Sequence, residues 1–138
     1  MGCDIHAAVE VRGWNNEKWT FVAEPPTPRN YAFFGVLAGV RREVQSPLAD
    51  GRGLPADISE DAAKRCRGDH SDSWVTLKEL RDNRDAMAAE MKGMGYDPDA
   101  GVLDQWVELG TMMDAAHAYY QDWKPDGSHT RFSFNFDS

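Results

Sequence analysis

Three groups of residues have the types and spacing for chemistry. Asp4 and His6 sit two positions apart. On a strand that spacing puts both on one face, about 7 Å apart along it. There a carboxylate can orient an imidazole and raise its basicity; the plainer reading is a hydrogen-bonded edge pair. The second group is Gly68-Asp69-His70-Ser71-Asp72-Ser73-Trp74. One imidazole, carboxylates and hydroxyls so close together suit acid–base work, an anion wrap or a metal. The plainer reading is a turn and capping ladder feeding the next helix. Neither Cys3 nor Cys66 stands at ligand spacing from another ligand, so zinc has little support. A divalent metal, if one is used as cofactor, would fall to His6, His70 and Asp72.

The third group sets arginines beside aromatics: Arg29-Asn30-Tyr31, Arg41-Arg42 and Gly51-Arg52-Gly53. Guanidinium groups grip phosphates and flank stacked bases, although singly they are ordinary surface residues. Arg41 and Arg42 also suit a helix C-terminus. Arg84 interrupts an apolar stripe and needs a partner, with Asp4 or Glu90 as candidates. His117, on an apolar face, reads as a core histidine; His129, near the last turn, reads as solvated.

The elements that must position these residues follow from periodicity. Residues 3–12 alternate, with Cys3, Ile5, Ala7, Val9 and Val11 opposite Asp4, His6, Ala8, Glu10 and Arg12, as a half-buried strand does. Gly13-Trp14-Asn15-Asn16 is turn chemistry, and residues 18–23 read as a second strand hairpinned to the first. Phe33, Val36, Leu37 and Val40 have helical spacing over 32–40. Residues 43–57, broken by Pro47, Gly51, Gly53 and Pro55, form a long loop. Asp57 or Ser59 can cap a short helix ending near Gly68. Thr76 and Glu79 make a capping box for a helix to about Lys92. After the Asp97-Pro98 break, a helix over 102–122 carries Trp106, His117 and Tyr120 on one face. Phe132, Phe134 and Phe136 then alternate with polar residues in a C-terminal strand. Strands at both ends with helices between predict one α+β domain spanning 1–138, its small, mostly antiparallel sheet joining the N-terminal hairpin to the last strand.

Composition narrows the function. The 138 residues carry 23 acids against 15 bases, a net charge of −8. That disfavours double-stranded nucleic acid as partner, which needs clustered positive charge, but not a small anionic ligand held by a few arginines. Two cysteines make no disulfide framework and favour a reducing compartment. No apolar run is long enough to span a membrane, and no signal peptide opens the chain. Met1-Gly2-Cys3 has the start of an acylation signal, but position 6 is His where the myristoylation pattern takes Ser or Thr. Assembly into a homo-oligomer is left open.

Taken together, the segments MGCDIH, RNYAFFGVLAGVR, RGLPADIS, GDHSDSWVTLKEL and RFSFNFDS resemble, in the same order, a family of small phage and prophage proteins. The family's members open with MGCDIH and close on an aromatic strand ending in FD. The resemblance covers about half the chain. It implies that Asp4, His6, Arg29, Asn30, Tyr31, Arg41, His70 and Ser71 match the family's polar motifs. The family often has a second His where this chain has Asp72. By analogy, a small phage protein with these motifs fits a counter-defence factor in the cytoplasm of an infected bacterial host, acting on a cyclic nucleotide-type immune signal. As a phosphodiesterase it would use His6 and His70 as base and acid, with Asp4 orienting His6. Arg29 and Arg41 would meet the phosphoryl oxygens, Asn30, Ser71 and Ser73 would add hydrogen bonds, and Tyr31 and Trp74 would stack bases. A sponge would use the same residues without turnover. The third class is a protein-interaction inhibitor of a host factor.

Overall fold

A computed structural model describes residues 2–13, 18–95, 100–121 and 125–138, without the side chains of 119–121. Met1, the expected turn at Trp14-Asn15-Asn16, the Asp97-Pro98 break and the Tyr120 side chain lie outside the described residues. The described residues form β1 (Asp4–Val11), β2 (Thr20–Ala23), α1 (Tyr31–Ala38), α2 (Glu60–Arg65), β3 (His70–Thr76), α3 (Leu77–Gly93), α4 (Gly101–Gln121) and β4 (Thr130–Asp137). The strands make one antiparallel sheet in the order β2-β1-β4-β3. The fold is α+β, with the N-terminal hairpin and the C-terminal strand in one sheet.

β4 is central and pairs with β1 without a break, from Asp4 opposite Asp137 to Val11 opposite Thr130. Directly opposed residues share a face. Ile5, Ala7 and Val9 therefore line up with Phe136, Phe134 and Phe132 on the side that α1, α3 and α4 cover. Trp106 of α4 stacks on Phe132 with ring centroids 5.0 Å apart and meets Phe33 edge-on. Its Nε1 donates to the Pro26 carbonyl at 2.7 Å, which satisfies the indole's one polar group.

The other face of the pair holds Glu10, Arg131, Ser133 and Asn135, all buried. Alternation at the chain ends points to a polar face; α2 and its flanking segments enclose it. Asn135 Nδ2 donates to the Cys66 carbonyl at 3.0 Å, and its Oδ1 accepts from Gly68 N at 2.7 Å. Gly68 has to be glycine, because a Cβ there would collide with the Phe136 carbonyl. Arg131 Nε donates to Glu10 Oε1 at 2.9 Å, its Nη1 donates to Asp57 at 2.8 Å, and Ser59 N donates to the second Glu10 oxygen. The segment covering this face is thus fastened to a buried ion pair.

Three expectations need correction. The Gly68–Trp74 block is no turn ladder: from His70 it is β3, an edge strand with an irregularity between His70 and Ser73. Its sequence lacks apolar alternation because pairing with the aromatic β4, not its own pattern, makes it a strand. Arg84 reaches neither Asp4 nor Glu90; it forks onto Asp104 of α4 with two bonds of 2.9 Å. His129 is half-buried rather than solvated, and its Nδ1–H donates to the Arg12 carbonyl at 2.9 Å. The capping box stands as expected, with Thr76 Oγ1 accepting from Glu79 N and Glu79 Oε1 accepting from Thr76 N. His117, half-buried, donates to the Met113 carbonyl.

Removing one partner of a buried ion pair strands the other charge, whereas replacing both by apolar residues is often neutral. Arg131→Met should therefore cost about 3–5 kcal/mol of stability. The double variant Glu10→Leu/Arg131→Met should recover most of it. Urea unfolding followed by circular dichroism measures both; equal losses in single and double variants would show that the pair is not what holds this face.

Candidate functional site

Polar residues from five separate segments gather where β1 begins and β4 ends. His6 projects from β1 and is opposed by Asn135, next to Asp137 on β4. Its Nε2 lies 2.6 Å from Asp137 Oδ2. An ionised carboxylate can only accept, so Nε2 carries a proton, and in the neutral ring the lone pair is then on Nδ1. Asp137 is fixed in turn by Asp4 N, which donates to its Oδ1 at 3.2 Å. The hydrogen bond from His6 holds the Asp137 carboxyl below the usual carboxylate range. The His6 side chain is 20% exposed, so the pair is neither dry core nor freely solvated.

Asp4 does not orient His6. Arg29 takes both of its oxygens, with Nε at 2.6 Å and Nη2 at 3.2 Å, and this fork keeps the Asp4 carboxyl below its ordinary range. The carboxylate that holds the imidazole comes from the far end of the chain, and Arg29 is a partner of Asp4. Asn30 caps α1, its Oδ1 accepting from Phe33 N at 3.0 Å. The Tyr31 hydroxyl accepts from Cys3 N at 3.1 Å, and the Arg41 guanidinium lies 5.4 Å from the Tyr31 ring centre. One face of Tyr31 is thereby taken by a cation. Burial pushes the Cys3 thiol up, with Arg41 opposing that shift.

His70 opens β3 opposite Phe136, and its ring stacks on that phenyl at 6.2 Å. Its Nδ1 shares a hydrogen bond with Ser71 Oγ at 2.9 Å, and its Nε2 another with Ser138 Oγ at 3.3 Å. Asn135 and Phe136 are neighbours on β4, so their register partners His6 and His70 leave opposite faces of the sheet. The two imidazoles flank the end of β4, tied to the consecutive residues Asp137 and Ser138, and do not face each other across one pocket. Ser71 and Arg41 both have left-handed backbone, φ 58° and 64°. For residues other than glycine this is uncommon and tends to occur at functional sites.

Beside His6 lies a hollow of about 40 Å³, lined also by Glu24, Thr27, Arg65 and Arg67. Arg65 pairs with Glu24 at 3.2 Å; Arg67 has no carboxylate partner among the described residues. Asp137, Ser138, Arg65 and Arg67 were not legible as site residues, because the β1–β4 register and the path of α2 bring them in. The final Phe-Asp of the closing motif was the one available signal.

Ser73 and Trp74 do not join this cluster. Ser73 is buried, its hydroxyl donating to the Ala49 carbonyl at 2.5 Å. Trp74 lies under the Arg52 guanidinium, at 5.1 Å, on the wall of a different cavity. Among the described residues no group of three His, Cys, Asp or Glu could hold a metal ion, so His6, His70 and Asp72 are not assembled as a ligand set. No described helix is long and apolar enough to cross a membrane. Compared with known proteins, the chain matches no family model, no curated protein and no solved structure.

A carboxyl with a depressed folded pKa adds stability above its unfolded value, near about 4, and loses it as pH falls through the folded value. Asp137, held by His6, and Asp57, held chiefly by Arg131, both belong to this class. The melting temperature should accordingly drop as pH falls below about 4. In His6→Ala the Asp137 carboxyl should titrate nearer the ordinary carboxylate value. Carboxyl carbon NMR across a pH series reads this directly; an unmoved Asp137 titration would sink the assignment.

Proposed function

We propose that the chain hydrolyses a phosphodiester in a small nucleotide-type signal, with His6 as general base and Asp137 as the residue that orients it. The observation that carries this reading is the His6–Asp137 contact of 2.6 Å beside a hollow lined by Arg65 and Arg67. With Nε2 pinned to the carboxylate, Nδ1 is the atom able to take a proton from an attacking ribose hydroxyl or water. The attacking oxygen bonds to phosphorus as the bond to the leaving oxygen breaks, and that oxygen takes up a proton. Guanidinium groups at the hollow would balance charge growing on the phosphoryl oxygens. A hollow of about 40 Å³ suits a phosphoryl group and leaves the bases outside it. His70 leaves the opposite face of the sheet, so the proton for the leaving oxygen would come from the His6 imidazolium or from water. The counter-defence role in an infected host cell belongs to this proposal and rests on motif resemblance.

The test incubates the full chain with cyclic mono-, di- and trinucleotides and cyclic ADP-ribose isomers, with and without Mg²⁺ or Mn²⁺. The protein is then heated and the released molecules are separated. Cleaved products are expected. His6→Ala should lose about 10²–10⁴ in rate, the usual worth of acid–base help, and Asp137→Asn should lose less, since the imidazole remains. Far-UV circular dichroism confirms that each variant is folded. Intact release from the parent would make the chain a sponge, no depletion would point to a protein partner, and full cleavage by His6→Ala would overturn the assignment.

A further inference from the structure

The opposite ends of β1 and β4 border a second concavity, of about 580 Å³. That volume falls within the range of about 300–1,000 Å³ usual for small-molecule sites. The walls include Arg12, Trp19, Arg52, Asp57, Trp74 and Arg131. Three guanidinium groups, two indoles and a single carboxylate are an unusual lining in a chain of net charge −8. Arg131 and Arg12 lie over Trp19, at 4.0 and 4.7 Å from its ring centre, and Arg52 lies over Trp74 at 5.1 Å.

Two of the arginines also have structural work. Arg52 forks onto Glu79 at 2.9 and 2.7 Å and bonds the Leu48 and Trp74 carbonyls, which pins the long loop to the start of α3. Arg131 holds Glu10 and Asp57. Those contacts do not exhaust the site. Arg131, 5% exposed along its side chain and with its Nη2 buried too, backs the wall beneath Trp19. Arg12 is engaged with the Trp19 ring and has no ion pair among the described residues.

We propose that this cavity is a binding site for an aromatic anion of the nucleotide class. A flat base would stack against Trp74 and the Arg52 plane, and a phosphate would be met by Arg12. The site contains no imidazole in its lining and is separate from the His6–Asp137 pair. Arg131 and Asp137 are six positions apart on β4, about 20 Å along the strand. The inference does not depend on hydrolysis at the other end.

The test is titration of the full chain with adenosine 5′-monophosphate by calorimetry and by tryptophan fluorescence. Adenosine and inorganic phosphate are measured separately as the two halves of the ligand. Saturable binding is expected, with each half at least tenfold weaker. Trp74→Leu and Arg12→Gln should each weaken binding at least tenfold while melting as the parent does, and His6→Ala should bind as the parent. Arg12→Gln, which breaks no ion pair or side-chain hydrogen bond of the buried Glu10–Arg131–Asp57 network, keeps the test valid if Trp74→Leu folds poorly. The proposal is overturned by an absence of saturable binding at millimolar nucleotide. It is equally overturned by unchanged affinity in Arg12→Gln, or by loss of binding in His6→Ala alone, which would move the ligand to the dyad.

Discussion

Pairing of β1 with β4 is the constraint on which the other arrangements rest. It joins residues as far apart as Asp4 and Asp137, 133 positions along the chain. Closing so long a loop is entropically unfavourable, though the cost grows only with the logarithm of its length, about 0.6 kcal/mol per doubling. Burial on both faces offsets it. On one side three phenylalanines meet Ile5, Ala7 and Val9; on the other, Glu10 meets Arg131. Once the register is set, His6 lands next to Asp137 and Arg131 lands beneath Trp19. The His6–Asp137 contact and the arginine-lined cavity are both consequences of one strand alignment.

That alignment is specified more sharply than hydrophobicity alone would require. Side chains on a strand alternate, so a slip of one residue would send the Phe132, Phe134 and Phe136 rings into the polar face. The polar face resists the slip independently. Asn135 is held by the Gly68 amide and the Cys66 carbonyl, and Arg131 by two carboxylates from different segments. A half-satisfied network of this kind would be worse than an apolar one. The match between Glu10, Arg131, Asp57 and Ser59 therefore fixes α2 and the loop before it as well as the sheet. Burial in this layer pushes the Cys66 thiol up to about 12, in keeping with a group kept from water.

What was legible in the sequence was local. Alternation in residues 3–12 and 131–136 identified the two central strands, and Thr76 with Glu79 marked the start of α3 to the residue. β3 was not legible, because Ser71, Asp72 and Ser73 carry no strand pattern and become a strand only against β4. The site divided in the same way. His6, His70, Arg29 and Tyr31 were recognisable by type, and they do gather near one end of the sheet. Their partners were not recognisable. Asp4 is adjacent to His6 in sequence and so was the natural choice, yet Arg29 claims it, and Asp137 arrives from the opposite terminus. Partner choice among like carboxylates is decided by register, and periodicity does not encode it. Trp19, Arg12 and Arg131 escaped notice for the same reason, since each comes from a different element and none has a motif.

The two ends of the β1–β4 pair carry different chemistry because their surroundings differ. Near His6 the backbone at Arg41 and Ser71 is left-handed, a conformation that costs of order 1 kcal/mol or more for such residues and persists only when neighbours enforce it. Arg41 is held against Tyr31, and Ser71 against His70; Ala100, just before α4, has the same left-handed backbone. At the far end the rigid parts are indoles clamped under guanidinium planes, which suit recognition more than proton transfer. Arg131 and Asp137 are about 20 Å apart along β4, whereas Trp74 pairs with Ser133, two positions from the Asn135 that opposes His6. The guanidinium-lined wall at Arg12 and the imidazole at His6 therefore differ in what surrounds them, while the intervening Trp74 is set by the same register that sets both.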